Sequence, residues 1–199
     1  MKIIRKYQLP AQKLDFVNIN LAKDNKIFID PVKIKNGTSE IHKTCYKKID
    51  SFIQILLELS RKREYKKLLE IIDNFHERNE TRLGYSLEST YGKSFGENGG
   101  RDLVKLLAKN EMVSNGEVED IFDCLIMVPN IGEDKVSDLI TTIIFLDLIK
   151  YTQEQCNLWK IEMKNVSISK LCWNADNETW IKVKKQLPID ERKTSSICS

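Results

Sequence analysis

Residues 130–159, NIGEDKVSDLITTIIFLDLIKYTQEQCNLW, decide how the rest of the chain is read. Val136, Leu139, Ile140, Ile143 and Ile144 recur at helical spacing, and Phe145, Leu146, Leu148 and Ile149 widen the stripe until it nearly encircles the helix. A helix apolar on almost every side is stable only inside other elements, because burial is what removes such a surface from water. Pro129 and Gly132 punctuate its start, and Glu133 and Asp134 sit where carboxylates favour a helix N-terminus. Asp138, Asp147 and Lys150 leave the apolar run too interrupted to span a bilayer. The spacing predicts the central core helix of a soluble domain, centred on residues 136–151.

Upstream, Gly37-Thr38-Ser39 offers a helix cap, and Ile41, Cys45, Ile49, Phe52, Ile53 and Leu56 follow with a 3.6-residue period to about residue 59. Tyr65, Leu68, Leu69, Ile72 and Phe75 predict a second helix, and residues 101–109 and 117–128 predict two more. Residues 1–35 read as three short strands, 2–9, 14–21 and 26–34, separated by Pro10 and by Lys23-Asp24-Asn25. Downstream of the core helix, 167–173 and 179–185 predict a hairpin around Asn174-Ala175-Asp176-Asn177, with Trp173 and Trp180 as cross-strand partners. Lys182 and Lys184 alternate with Ile181 and Val183, which makes one strand face basic. The expected fold is α+β: a small N-terminal antiparallel β-sheet, a central helical bundle around one buried helix, and a C-terminal β-hairpin. Residues 1–189 are expected to form one domain (1–35 β, 38–159 mainly helical, 160–187 the hairpin), with 190–199 a flexible tail.

Net charge is +3, too small to imply nucleic acid by itself. Its distribution is uneven: Lys and Arg outnumber Asp and Glu by 11 to 5 in residues 1–50, whereas acids lead by 10 to 5 in residues 101–150. Such asymmetry orients a polyanion or lets two parts of one fold attract each other. Five cysteines, Cys45, Cys124, Cys156, Cys172 and Cys198, are odd in number and never form a C-x-x-C pair, which points to reduced thiols and a cytoplasmic setting. The N-terminus has no signal-peptide pattern, and no membrane association is expected.

The least ordinary segment is 77–101, ERNETRLGYSLESTYGKSFGENGGR, which holds five of the eight glycines. Long loops of this kind are usually functional or disordered. Glycine lets backbone amides approach an anion, Arg82 and Lys93 neutralise it, and Tyr85 and Tyr91 offer faces for stacking on a base. Gly92-Lys93-Ser94 is not a P-loop, because Leu87 stands where that motif needs its first glycine. Arg61, Lys62 and Arg63, with Lys66 and Lys67, form a second phosphate-binding candidate; the bland reading is a solvated corner paired with Glu58, Glu64 and Glu70. Asp134 and Asp138 lie four apart on one helix face, where two carboxylates suit a divalent cation, although helix capping already accounts for Asp134.

With only His42 and His76, multi-histidine zinc sites cannot be built, and no G-x-S-x-G elbow is present. One nuclease-like trace is Glu162-Met163-Lys164, an E-x-K triplet, together with Asp30 at the end of a predicted strand. Such carboxylates hold Mg²⁺ and such a lysine steadies the attacking water in restriction-endonuclease-like folds. Asp-Pro is also a common turn starter. No cofactor is expected otherwise.

Three strings, KIFIDP at 26–31, NETRLGYS at 79–86 and NIGEDKVSDLITTII with YTQEQC across 130–156, are together similar to a group of long, uncharacterised bacterial proteins. The resemblance covers most of residues 1–160. It implies no particular activity, only a loose association with mobile-element and phage-defence loci, and a chain shortened at its C-terminal side. The leading expectation is a nucleic-acid-associated component of such a system, binding phosphates of DNA or RNA through the Gly-rich basic loop. The competing expectation is a non-enzymatic module for a protein partner or for self-association, using the same loop and the tryptophan hairpin. A Mg²⁺-dependent nuclease stands third.

Overall fold

The computed structural model describes residues 1–10, 14–23, 25–75, 78–83, 104, 105, 107, 108, 115 and 133–189. The fold is α+β. Helices α1 (Ile3–Tyr7), α2 (Pro31–Asn36), α3 (Glu40–Arg61), α4 (Tyr65–Ile72), α5 (Glu133–Ile143) and α6 (Phe145–Leu158) precede strands β1 (Lys164–Ser167), β2 (Cys172–Asn174), β3 (Thr179–Ile181) and β4 (Lys184–Leu187).

Helix α3 is the long support of the molecule. Ser39 caps it, its Oγ accepting from the His42 N–H at 3.4 Å. Gly37 is required just before this cap, since a Cβ there would collide with the His42 ring. The predicted period is the buried face: Cys45, Ile49, Phe52, Ile53, Leu56 and Leu57 all point inward. Ser60, buried one turn on, gives its hydroxyl to the Leu107 carbonyl at 2.9 Å, and Val104 and Leu107 join the core. Residues 104, 105, 107 and 108 of the predicted helix 101–109 are helical, while 101–103, 106, 109 and all of 117–128 lie outside the described residues.

The apolar rod is buried as its pattern demands, but it is two helices. Leu139, Ile140, Ile143, Ile144, Phe145, Leu148 and Ile149 are all in the core. The break is at Ile144, φ −92° and ψ 11°. Ile140, Thr141, Thr142, Ile143 and Ile144 are five β-branched residues in succession, whose side chains crowd the preceding turn and weaken a helix at that point. Hydrogen bonds from Ile144 N to Ile140 O and from Leu148 N to Ile144 O, both 3.0 Å, keep the two helices in one line of contact.

The N-terminal sheet is a correction. No named strand occurs among the described residues before β1. Ile3 and Tyr7, four apart, form one side of a short helix that ends at Gln8 in the left-handed region, φ 53°. Residues 14–21 are irregular because asparagine side chains supply the bonds a strand partner would. Asn18 Oδ1 accepts from Ile4 N at 3.1 Å, Asn25 Oδ1 from Asn20 N at 2.7 Å, and Asn20 Oδ1 from Ala22 N at 2.9 Å. Only isolated bridges remain, Lys2 with Asn20 and Asn25 with Leu83. Ile3, Leu9, Ile19 and Leu21 make a second small core against Trp159 and Ile161.

The predicted strand 26–34 fails at Pro31. Proline is preset for the first turn of a helix, and Asp30 caps α2 by accepting from Val32 N at 2.9 Å and Lys33 N at 3.3 Å.

Candidate functional site

The C-terminal hairpin forms where its sequence places it. Trp173 and Trp180 face each other across β2 and β3, ring centroids 5.2 Å apart at 67°. Asn174 shapes the turn, its Oδ1 accepting from Asp176 N at 3.0 Å and Asn177 N at 3.2 Å. Trp173 stands edge-on to Phe52 of α3 at 4.7 Å, and Trp180 lies 6.0 Å from Phe75. Cys172, Trp173 and Leu187 are buried, so the ribbon is fastened to the helices along one side. β1 and β4 extend it antiparallel, with Asn165 opposite Gln186 and Ser167 opposite Lys184. The Ile168 N–H donates to the Val183 carbonyl at 3.1 Å, linking the two ladders, and residues 169–171 then face Lys182 alone.

The ribbon carries a set of exposed cations, Lys184 and Lys185 on opposite faces of β4. Lys164, Lys170, Lys182, Lys184 and Lys185 are exposed. Lys164 has a loose contact with Glu162 at 3.9 Å, while no ion pair engages Lys170, Lys182, Lys184 or Lys185 among the described residues.

The α3–α4 corner differs. Arg61, Lys62, Arg63, Lys66 and Lys67 are all exposed, but Lys62 pairs with Glu58 at 2.5 Å and Lys67 pairs with Glu64. The Lys62 hydrogen bond holds the Glu58 carboxyl below its ordinary range, and Glu58 in turn raises the Lys62 ammonium. The corner is thus partly neutralised from within.

Of the Gly-rich segment, Tyr85, Tyr91 and Lys93 lie outside the described residues. Arg82 is not on the surface. It is 7% exposed, in the left-handed region at φ 57°, and its carbonyl accepts from Asn25 N at 2.8 Å and Asn25 Nδ2 at 2.9 Å.

Asp30, Glu162 and Lys164 do not share a strand end as a nuclease centre would need. Asp30 is spent on capping α2, and Glu162 and Lys164 lie on the exposed rim of β1, where among the described residues the ion pair each makes is with the other. The Asp134 side chain lies outside the described residues; Asp138 is half-buried beside Ser137, whose Oγ accepts from Ile29 N at 2.9 Å. Among the described residues, no group of three His, Cys, Asp or Glu side chains is placed to hold a metal ion. Asp147 is a buried carboxylate tied to Lys48 at 2.6 Å, joining α6 to α3.

Sequence reasoning passed over Arg78. It follows Phe75 by three residues, continuing the apolar period Leu68, Ile72, Phe75 with a charge, and it is 2% exposed. Its guanidinium lies 4.4 Å from the Phe145 ring centroid, and Nη2 donates to the Leu171 carbonyl.

The folded chain is an α-helical core clasped by a basic two-stranded ribbon, an α+β domain class. A family model described as Domain of unknown function (DUF8370) matches residues 8–197, and the chain belongs to that family. No curated protein and no solved structure matches it significantly. Among the described residues, no helix is long and apolar enough to cross a membrane.

Proposed function

We propose that this protein binds nucleic acid through the phosphate backbone. The lysine-bearing ribbon is the principal contact; Arg61, Arg63 and Lys66 at the corner, with Lys93, Tyr85 and Tyr91 of the Gly-rich segment, add to it. The observation that carries this reading is the set of four exposed hairpin lysines, Lys170, Lys182, Lys184 and Lys185, which have no carboxylate partner among the described residues. An ammonium already paired inside the protein gives little to an external anion, whereas an unpaired one keeps its full field. A two-stranded antiparallel ribbon also has the width that the DNA major groove admits, and Asn165, Gln186 and Ser167 on its ladder are hydrogen-bonding types. Bacterial mobile-element or defence loci are the setting that the resemblance suggests for this activity.

The test is the salt dependence of binding to a labelled duplex, followed by fluorescence anisotropy. Each neutralised phosphate contributes about −0.9 to the slope of log affinity against log salt, so four lysines give about −3.6 and a loss of roughly 100-fold between about 50 and 200 mM. The double substitution Lys182→Gln/Lys184→Gln reduces the slope by about 1.8. Affinity indifferent to salt, or a salt-resistant dimer that ignores oligonucleotides in light scattering, overturns the reading in favour of a protein-interaction module.

A further inference from the structure

The ladder of β1 and β4 has two unlike faces. Val166 packs on the core and Leu187 is buried outright, so the alternation of a strand turns Asn165, Ser167, Lys184 and Gln186 the other way. All four are exposed, and among the described residues none of their side chains is engaged in a hydrogen bond or an ion pair. The register sets Asn165 directly opposite Gln186, and Ser167 opposite Lys184. Asparagine is depleted in strands, because its side chain competes for backbone hydrogen bonds, so local stability does not explain its place in this ladder.

A side-chain amide offers an acceptor oxygen and an NH₂ donor side by side in one plane. The major-groove edge of adenine presents the matching pair, an N7 acceptor and an N6 donor, and Asn or Gln meets both at once. Cross-strand partners have Cβ atoms about 5 Å apart and base pairs stack about every 3.4 Å, so two facing amides span neighbouring base pairs. Lys184 on the same face, with exposed Lys170 and Lys182 next along the ribbon, is complementary in charge to the phosphates that border the groove. Resting on the phosphate-binding reading above, we propose that this face enters the major groove of duplex DNA, where Asn165 and Gln186 read adenines and make binding selective for sequence. The lysines hold the ribbon in place and the amides supply the choice. An RNA duplex is not read this way, since its major groove is too deep and narrow for side chains.

Selection of the full chain on a DNA duplex pool with a randomised centre, followed by fluorescence anisotropy at fixed salt, tests this. An enriched sequence containing adenine is expected, and exchange of that A·T pair for G·C weakens binding roughly tenfold. Asn165→Ala/Gln186→Ala, at two exposed positions where replacement leaves the fold intact, brings the two duplexes to within about twofold of each other. The salt slope of this variant equals the parent's, because neither amide releases a counterion, and a merely structural pair would not separate the two readouts. Lys170→Gln/Lys185→Gln does the reverse: it weakens binding to every duplex alike and lowers the slope by about 1.8, while the preference stays. An RNA duplex of the enriched sequence binds without preference. Salt-dependent binding equal for all DNA sequences overturns this inference and leaves phosphate binding standing. So does a preference that survives in Asn165→Ala/Gln186→Ala or reappears on the RNA duplex. Absence of salt-dependent binding to any duplex overturns both.

Discussion

Replacing Phe52 by alanine should do more damage than removal of one ring from a core usually does. Phe52 is 0% exposed, and its ring meets Trp173 at 4.7 Å, Phe75 at 5.5 Å and Trp180 at 6.5 Å. A buried Phe→Ala change costs about 3–5 kcal/mol from lost transfer free energy and the cavity left behind. Each edge-to-face ring pair adds about 0.5–1.5 kcal/mol beyond area, which places this site at the upper end of that range. Against a typical net stability of about 5–15 kcal/mol, the variant keeps a folded majority only if the parent lies well above the lower bound. Urea unfolding followed by tryptophan fluorescence measures it directly, because Trp173 and Trp180 report on the same cluster. Hydrogen exchange in β2 and β3 should accelerate more than in the centre of α6, since Phe52 is what the hairpin leans on. A loss below about 2 kcal/mol, with hairpin protection unchanged, would refute the claim that these four rings fasten ribbon to helix.

Two further outcomes follow from local chemistry. Asp30→Ala should cost about 1 kcal/mol by denaturant titration, because two α2 amides lose their acceptor; an unchanged midpoint removes the capping role. Burial, with Asp147 acting through space, pushes the Cys45 thiol up to about 12, and burial raises Cys156 to about 11, both from 9.0. Such thiols hold their protons more tightly folded than unfolded, so their contribution is whole below pH 9 and drains away as pH climbs toward 11 and 12. Stability curves over that window should fall more steeply for the parent than for Cys45→Ala/Cys156→Ala, and thiol-specific reagents should leave both sulfurs unmodified in the native state at neutral pH.

Periodicity exposed the parts of this fold whose side chains decide their own environment. The α3 stripe, the rod through Leu139–Ile149 positions and the facing tryptophans are visible because burial of an amphipathic or apolar pattern has few solutions. The first 35 residues misled because Ile3, Ile19 and Ile27 imitate strand alternation, while the asparagines between them quietly satisfy the backbone and remove any need for a sheet. Asp30-Pro31 carried both meanings, strand exit and helix entry, and only the geometry of two capping bonds chooses. The break at Ile144 was written as five β-branched residues in a row, a local penalty that an average over the whole helix conceals. For the site, Lys182 and Lys184 were legible by alternation while Lys170 and Lys185 were not, and whether a lysine is already answered by a nearby carboxylate is a tertiary fact. Arg82 illustrates this: an arginine amid glycines reads as a surface cation, yet it is packed inside.

The mismatch in the ribbon, three residues against one between its inner and outer ladders, carries a cost and a use. A hairpin zipped without interruption would gain backbone pairs at 169–171, and deletion of two residues there would produce it. That tidier version would turn the Leu171 oxygen into the ladder and strip the nearby guanidinium of the acceptor that now steadies it. The irregularity therefore behaves as a hinge between two neighbours, one that shares the strand and one that reaches in from the loop after α4, so changes in either should be felt by the other.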